Sequence, residues 1–278
     1  MEWLLADPSY VIFLTVDLVA IFCLVAAMRW LSRFLVKPVT RHSDASNIET
    51  AAAVIALMIA LTGVTTGRFS LSIFQEWSLI TGYGLLALCL LRLGAWLQDK
   101  IVLPAMNLNH AAQQGNSAAA LITGAHLLGT AIVIRSAMQW TNQDANLGVI
   151  ALIFGFIISQ CLLSLDTRLR IALGSNNLAE VIDKKANPAA IKAAAQHIGA
   201  ALAISGSAHF ASSIEFQLEL AVLAWLVSSI VFLLIYLALS ELCIRIILPK
   251  GEIYEGGRPI LEGAIFVGWG FLLPALAG

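Results

Sequence analysis

Eight apolar stretches run through this chain, at 10–28, 49–66, 77–97, 117–138, 147–166, 188–208, 218–240 and 259–276. Each is close to the ~20 residues of helix that a hydrocarbon core of about 30 Å requires. Backbone groups in lipid have no water to bond, so a spanning segment must satisfy them internally, and unbroken runs of this length do so as helices. A transmembrane barrel would show shorter segments of alternating polarity. Composition agrees: 59% of the 278 residues are hydrophobic and 12% are charged, against about a quarter charged in soluble domains. With a net charge of -1 and no basic cluster, nucleic-acid binding is excluded as well. The expected fold class is all-α, a polytopic membrane bundle of eight transmembrane helices. The first segment is expected to stay in the protein, because Glu2 and Asp7 make its flank acidic and no small-residue cleavage site follows.

Basic residues orient the chain. Arg29, Arg33, Lys37 and Arg41 follow the first segment, and Arg92 and Lys100 close the third. Arg168, Arg170, Lys184 and Lys185 follow the fifth, and Arg245, Lys250 and Arg258 the seventh, giving 13 of the 16 basic residues. The opposite loops hold Arg68 and Arg135. Lys and Arg collect in cytoplasmic loops, so both termini are expected on the outer side.

The even-numbered segments open alike. Asn47, Asn116, Asn187 and Arg258 stand at steps of 69, 71 and 71 residues, and alanine-rich sequence follows the first three. Each unit is an apolar helix, a basic loop, a polar start and a second helix. Two spans per unit keep successive units in one orientation, so four parallel two-helix repeats are expected. The three asparagines are candidate helix N-caps, whose side-chain oxygen accepts from first-turn amides. Pro188 and Pro259 suit the first helical position, where no N–H is needed. Ala, Gly, Ser and Thr supply 12 of 22 residues in 117–138 and 13 of 21 in 188–208, but 5 of 22 in 218–239. Small residues let helices approach closely in lipid, so segments 2, 4 and 6 are expected at the centre and the bulkier odd ones toward lipid.

The run Gly115-Asn116-Ser117-Ala118-Ala119-Ala120-Leu121, followed by Leu127-Leu128-Gly129 and Ile132, resembles the YjfL-like family of small bacterial inner-membrane proteins, a domain-of-unknown-function family. In that family an Asn-[Ser/Thr]-Ala-Ala start opens every second helix of a four-helix unit. The motif is matched well at Asn116, partly at Asn47 and Asn187, and poorly at Arg258. The resemblance implies a bacterial plasma-membrane protein made of two such units in tandem, 1–140 and 141–278. It implies no particular reaction.

Ionisable side chains at membrane depth are costly and mark candidate sites. His126 and His197 each lie ten residues beyond their repeat asparagine, at matched depth, where the flanking units have Leu57 and Gly268. Such a pair suits a proton relay or a hydrogen bond between packed helices. Lys192, Gln196 and His197 form a polar stripe, from which Lys192 is expected to snorkel to the headgroups. Asp17 lies a turn or two inside the first segment. Glu49 and Glu262 sit in first turns, where a carboxylate favours the helix dipole. The candidate intramembrane polar site is therefore His126, His197, Lys192, Gln196 and Asp17. Cys23, Cys89, Cys161 and Cys243 have no Cys-x-x-Cys spacing, so they are expected to be apolar fillers. Two histidines fall short of a protein metal site. No catalytic or nucleotide-binding motif appears, so neither enzyme activity nor a cofactor is expected. The partners expected are the lipid bilayer, a peripheral protein at the basic loops and a second copy of the chain. Two functions stay open, a transport or channel-like protein for a small solute, ion or proton, and a non-catalytic membrane scaffold or envelope-stress partner.

Overall fold

The computed structural model describes residues 12, 15–16, 18–27, 44–65, 72–104, 106–139, 145–172, 178–212, 218–248 and 257–277. Asp17, the four basic residues of the first loop, Arg68 and Lys250 lie outside them. Among the described residues all regular structure is helical. In chain order the helices are α1 (Leu18–Ala27), α2 (Asp44–Thr65), α3 (Ile73–Leu97), α4 (Leu108–Gln113), α5 (Ser117–Gln139) and α6 (Ala145–Ala172). They continue with α7 (Leu178–Asp183), α8 (Asn187–Ser212), α9 (Leu218–Ile247) and α10 (Arg258–Ala277). A π-helical turn, Gln98–Val102, prolongs α3.

Among the described residues six helices are long and apolar enough to cross a membrane: Asp44–Gly63, Trp77–Val102, Ser117–Met138, Leu152–Ala172, Leu220–Ile247 and Arg258–Leu276. They correspond to six of the eight expected segments. The stretch 188–208 is helical too, within the 26 residues of α8, but Lys192 and its alanine, glycine and serine dilute its apolar character below that of the six. Of the first segment, α1 is a shorter apolar helix.

Helices α2, α5, α8 and α10 stand side by side in that order and make the most extensive helix contacts, with α3, α6 and α9 packed outside them. The physical reason is side-chain size. At the α8–α10 crossing a Cβ added to Gly270 would lie 2.6 Å from the Gly199 carbonyl oxygen and 2.7 Å from its Cα, so backbone meets backbone there. The middle of this row is the true interior: 78% of the most apolar window of α5 is buried, against 28% in α9. Position in the row matters as well as composition, because α2, at one end, is only 33% buried over its window.

The loops at the basic end share one construction. Short α4 ends on Gly115, with φ 85°, and short α7 ends on Lys185, with φ 49°. Each closes with paired bonds that satisfy the last carbonyls of a helix: Asn116 N to Ala111 O and Gly115 N to Ala112 O, both 3.0 Å, then Ala186 N to Val181 O at 2.9 Å and Lys185 N to Ile182 O at 3.1 Å. The same turn therefore recurs 70 residues on.

The three asparagines play different parts. Asn116 Oδ1 accepts from the Ala119 amide at 3.2 Å, a capping bond, while its Nδ2 donates to the Ile182 carbonyl at 2.7 Å. Asn187 is instead the first residue of α8, and its Oδ1 accepts from the Ser117 hydroxyl at 2.8 Å. It is not the cap, because the turn at Lys185 sets the helix start one residue beyond Ala186. Asn47 is not a cap either: α2 begins at Asp44 and leaves Asn47 exposed within the first turn. The cysteines are free, and Cys23, Cys89 and Cys161 are exposed on the outer surface rather than filling the core.

Candidate functional site

Helices α5 and α8 start at the same end of the bundle, so residues equally far along them face each other. His126 and His197 lie roughly 14 and 15 Å in from those starts at 1.5 Å per residue. The structure brings them together: His126 Nδ1 is 3.1 Å from His197 Nε2. Gly129, one turn from His126, makes the room, since a Cβ there would lie 3.1 Å from His197 Cδ2.

The pair is anchored from α6. His126 Nε2 is 3.1 Å from Gln160 Oε1, and Gln160 Nε2 donates to Thr130 Oγ1 at 3.0 Å. Gly94 on α3 opens the space for this amide, with the Gln160 Nε2 3.1 Å from where its Cβ would stand. His126 and Thr130 are 1% and 0% exposed, so these bonds are made out of reach of water. The network assigns the tautomers. An acceptor oxygen on Gln160 requires a proton on His126 Nε2. A neutral His126 then accepts at Nδ1, so His197 donates from Nε2 and keeps a lone pair on Nδ1.

Beside the histidines lies a charged pair whose role the sequence reading did not recognise. Asp166 and Arg170 are one turn apart on α6, with Arg170 Nε 3.0 and 3.1 Å from the two carboxylate oxygens. From the sequence Arg170 is expected in a basic loop. Helix α6 instead continues to Ala172, and both side chains are almost completely buried. The guanidinium carbon sits 4.7 Å from the ring centre of Phe266 and 5.8 Å from that of Tyr236, where the negative ring faces attract a cation. Tyr236 in turn donates to the Gln196 carbonyl at 3.0 Å. A signal for the pair was present in the four-residue Asp-to-Arg spacing, which places both on one helix face.

A cavity of about 20 Å³ lies against this pair, lined by Asp166, Thr167, Arg170, Gln98, Gln196 and His197, with apolar walls from Leu103, Ile122, Leu178 and Ala193. Gln98, in the π-helical turn, is buried and reaches it from α3.

The expected stripe on α8 therefore divides. Gln196 and His197 face the cavity. Lys192 does not snorkel: its Nζ pairs with Glu262 Oε2 at 2.6 Å, and Glu262 Oε1 takes Arg258 Nε at 2.9 Å. Arg258 also donates to the Leu248 carbonyl at 2.9 Å. A carboxylate between two cations is better satisfied here than one facing the helix dipole alone. This second cluster ties α8 to α10, and the structure does not bring it onto the histidines. Asp17 lies outside the described residues. Among the described residues no group of three or more His, Cys, Asp or Glu side chains stands close enough to hold a metal ion.

These features define an all-helical membrane protein with several spans and a buried polar centre gathered at one end of its inner helices. The chain belongs to the family described as Domain of Unknown Function (DUF350), whose profile matches residues 3–138 and again 72–207. The two matches start 69 residues apart and end 69 residues apart, the step from Asn47 to Asn116. It is also similar to a UPF0719 transmembrane protein of Aquifex aeolicus (strain VF5), 26% identical over 192 residues that cover 68% of this chain and 71% of that one. No solved structure matches.

Proposed function

We propose that this protein moves a proton as part of membrane transport, with the His126–His197 pair as the group that takes it up and releases it. One observation carries the reading, the hydrogen bond between the two imidazoles with its far side closed by Gln160. His197 Nδ1 is the ring nitrogen with a lone pair to spare. A proton arriving there charges His197, and its Nε2 proton passes across the 3.1 Å bond to His126 Nδ1. Beyond His126 the chain ends at an amide oxygen, which does not relay protons. The pair is thus a reversible proton-binding site reached from one end, as coupled transport needs, rather than a continuous wire.

The setting that fits this reading has eight spans in four parallel two-helix repeats, in a bacterial plasma membrane. The basic loops lie in the cytoplasm and both termini outside. The 69-residue step between the family matches and the recurring turn at Gly115 and Lys185 support the repeat. In liposomes carrying a pH-sensitive dye, a proton flux is expected under an imposed gradient, and it is expected to fall to the protein-free rate in His126→Ala/His197→Ala. A wild-type flux no greater than that of empty liposomes overturns the reading.

A second reading, a membrane scaffold, is favoured by the backbone contact of Gly199 with Gly270, which makes a rigid seam with little room to move. A cross-linked partner retained at the basic loops, together with absent flux, would favour it.

A further inference from the structure

The cavity beside His197 has the size and lining of a binding site, and the proton-transfer reading leaves it without an occupant. Its volume of about 20 Å³ is on the scale of the 10–15 Å³ that one water needs. Charge narrows the choice. Asp166 and Arg170 neutralise each other through both carboxylate oxygens, so the wall holds no net charge to stabilise an ion taken out of water. A neutral molecule of one heavy atom that donates and accepts is left. The wall offers both kinds of partner: carboxylate and amide oxygens and His197 Nδ1 accept, the Thr167 hydroxyl accepts because its own proton goes to the Leu163 carbonyl at 2.9 Å, and the amide groups of Gln98 and Gln196 can donate.

We infer that this cavity is a water site, and that its water bridges His197 to Asp166. The inference rests on the proton-transfer reading for its purpose, and on the cavity alone for its existence. The bridge gives the histidine pair its one-sided access. Asp166 lies roughly 9 Å from the basic end of α6, nearer that end than either histidine. A proton on the Asp166 carboxyl leaves its oxygen for the water, and the water passes one of its own protons to His197 Nδ1. The carboxyl O–H and one water O–H break, a new water O–H and the His197 N–H form, and no oxidation state changes. The charged and titratable groups around Asp166 are Arg170 on its own helix, His197 across the cavity on α8 and Tyr236 on α9 against Arg170. Lys192, Arg258 and Glu262 are tied to one another in their own cluster. Leu103, Ile122 and Leu178 make apolar walls, so the water has its polar partners on α6 and α8 and at Gln98 in the π-helical turn.

The experiment is water-edited solid-state NMR on the full chain in liposomes, with 15N-labelled histidine and the His197 signal identified by its loss in His197→Gln. Wild-type His197 is expected to receive magnetisation from water rapidly. Ala193→Leu fills the cavity from its apolar wall without touching a polar group, and is expected to slow that transfer at least several-fold. Ala193→Val, a smaller insertion, is read the same way if leucine disturbs folding as judged by thermal unfolding. Absence of rapid transfer in wild type overturns the inference, and so does transfer that persists in a folded Ala193 variant. The readout is independent of flux: rapid transfer without proton movement sinks the proposed function and leaves the water site standing, and flux that survives the filled cavity leaves the proposed function standing and overturns the bridge from Asp166 to His197.

Discussion

The two ends of the α5–α8 pair are built from the same kind of helix and held together in opposite ways. Toward the basic loops the contact is polar: His126 meets His197, Gln160 locks His126, and Asp166 pairs with Arg170 beside them. Toward the far end it is small and apolar. Ala131, Val133, Ile134, Ala137, Ala203 and Ile204 are buried, and the polar groups there are hydroxyls, with Ser136 against Ser205 and Ser207 2.6 Å from Ser229. The first end holds ionisable and amide groups, each fixed by a specific partner. The second holds groups that pack, and its serines need little beyond a nearby carbonyl. Stability is therefore expected to depend on partnership at one end and on volume at the other.

The largest expected effect breaks a partnership. Asp166→Leu leaves Arg170 charged and buried without its carboxylate, and should lower unfolding stability by about 3–5 kcal/mol. Asp166→Leu/Arg170→Met removes both charges and should recover most of that loss, as measured by denaturant unfolding in mixed micelles. A double variant as unstable as the single one would mean that the pair is needed for more than mutual neutralisation.

The next effect tests volume. Gly270→Ala drives a methyl into the Gly199 backbone and should cost roughly 1–3 kcal/mol. Gly268, two residues away on α10, has nothing within 4 Å of its added Cβ. Gly268→Ala should be neutral or stabilise by up to about 1 kcal/mol, through the helix preference for alanine. Equal effects at the two positions would remove the case for a close-packed seam.

The smallest effect is at the far end. Ser207→Ala removes the hydroxyl pair with Ser229 and should cost about 0.6 kcal/mol, the average found for such bonds within membranes. The same measurement serves. A loss of several kcal/mol would show that the far end also depends on specific polar partners, and the contrast between the ends would fail.

Much of the fold was legible because it follows from local rules. Length and apolarity marked the helices, and alanine content marked α5 and α8 as close-packing. The matched positions of His126 and His197 along equivalent helices put them at one depth, and the structure puts them in contact. Sequence and structure part where a helix boundary or a partner on another helix decides the outcome. Ending the fifth segment at 166 turned Arg170 into a loop residue, although α6 runs on to Ala172. Treating Lys192 by its distance from the helix end suggested snorkelling, whereas Glu262 lies across the α8–α10 contact. No spacing rule names a partner on a different helix.

The sequence by itself determined an all-helical membrane chain, its basic end and the repeated polar helix start, since each depends on residues close together or on composition summed over a segment. Tertiary structure alone decided which polar groups share a site. The Gln160 anchor, the Phe266 and Tyr236 rings over Arg170, the Lys192–Glu262 pair and the cavity beside His197 all join side chains on different helices. Their meeting depends on rotation and crossing within the bundle, which glycine-sized contacts set, and no local pattern encodes those angles.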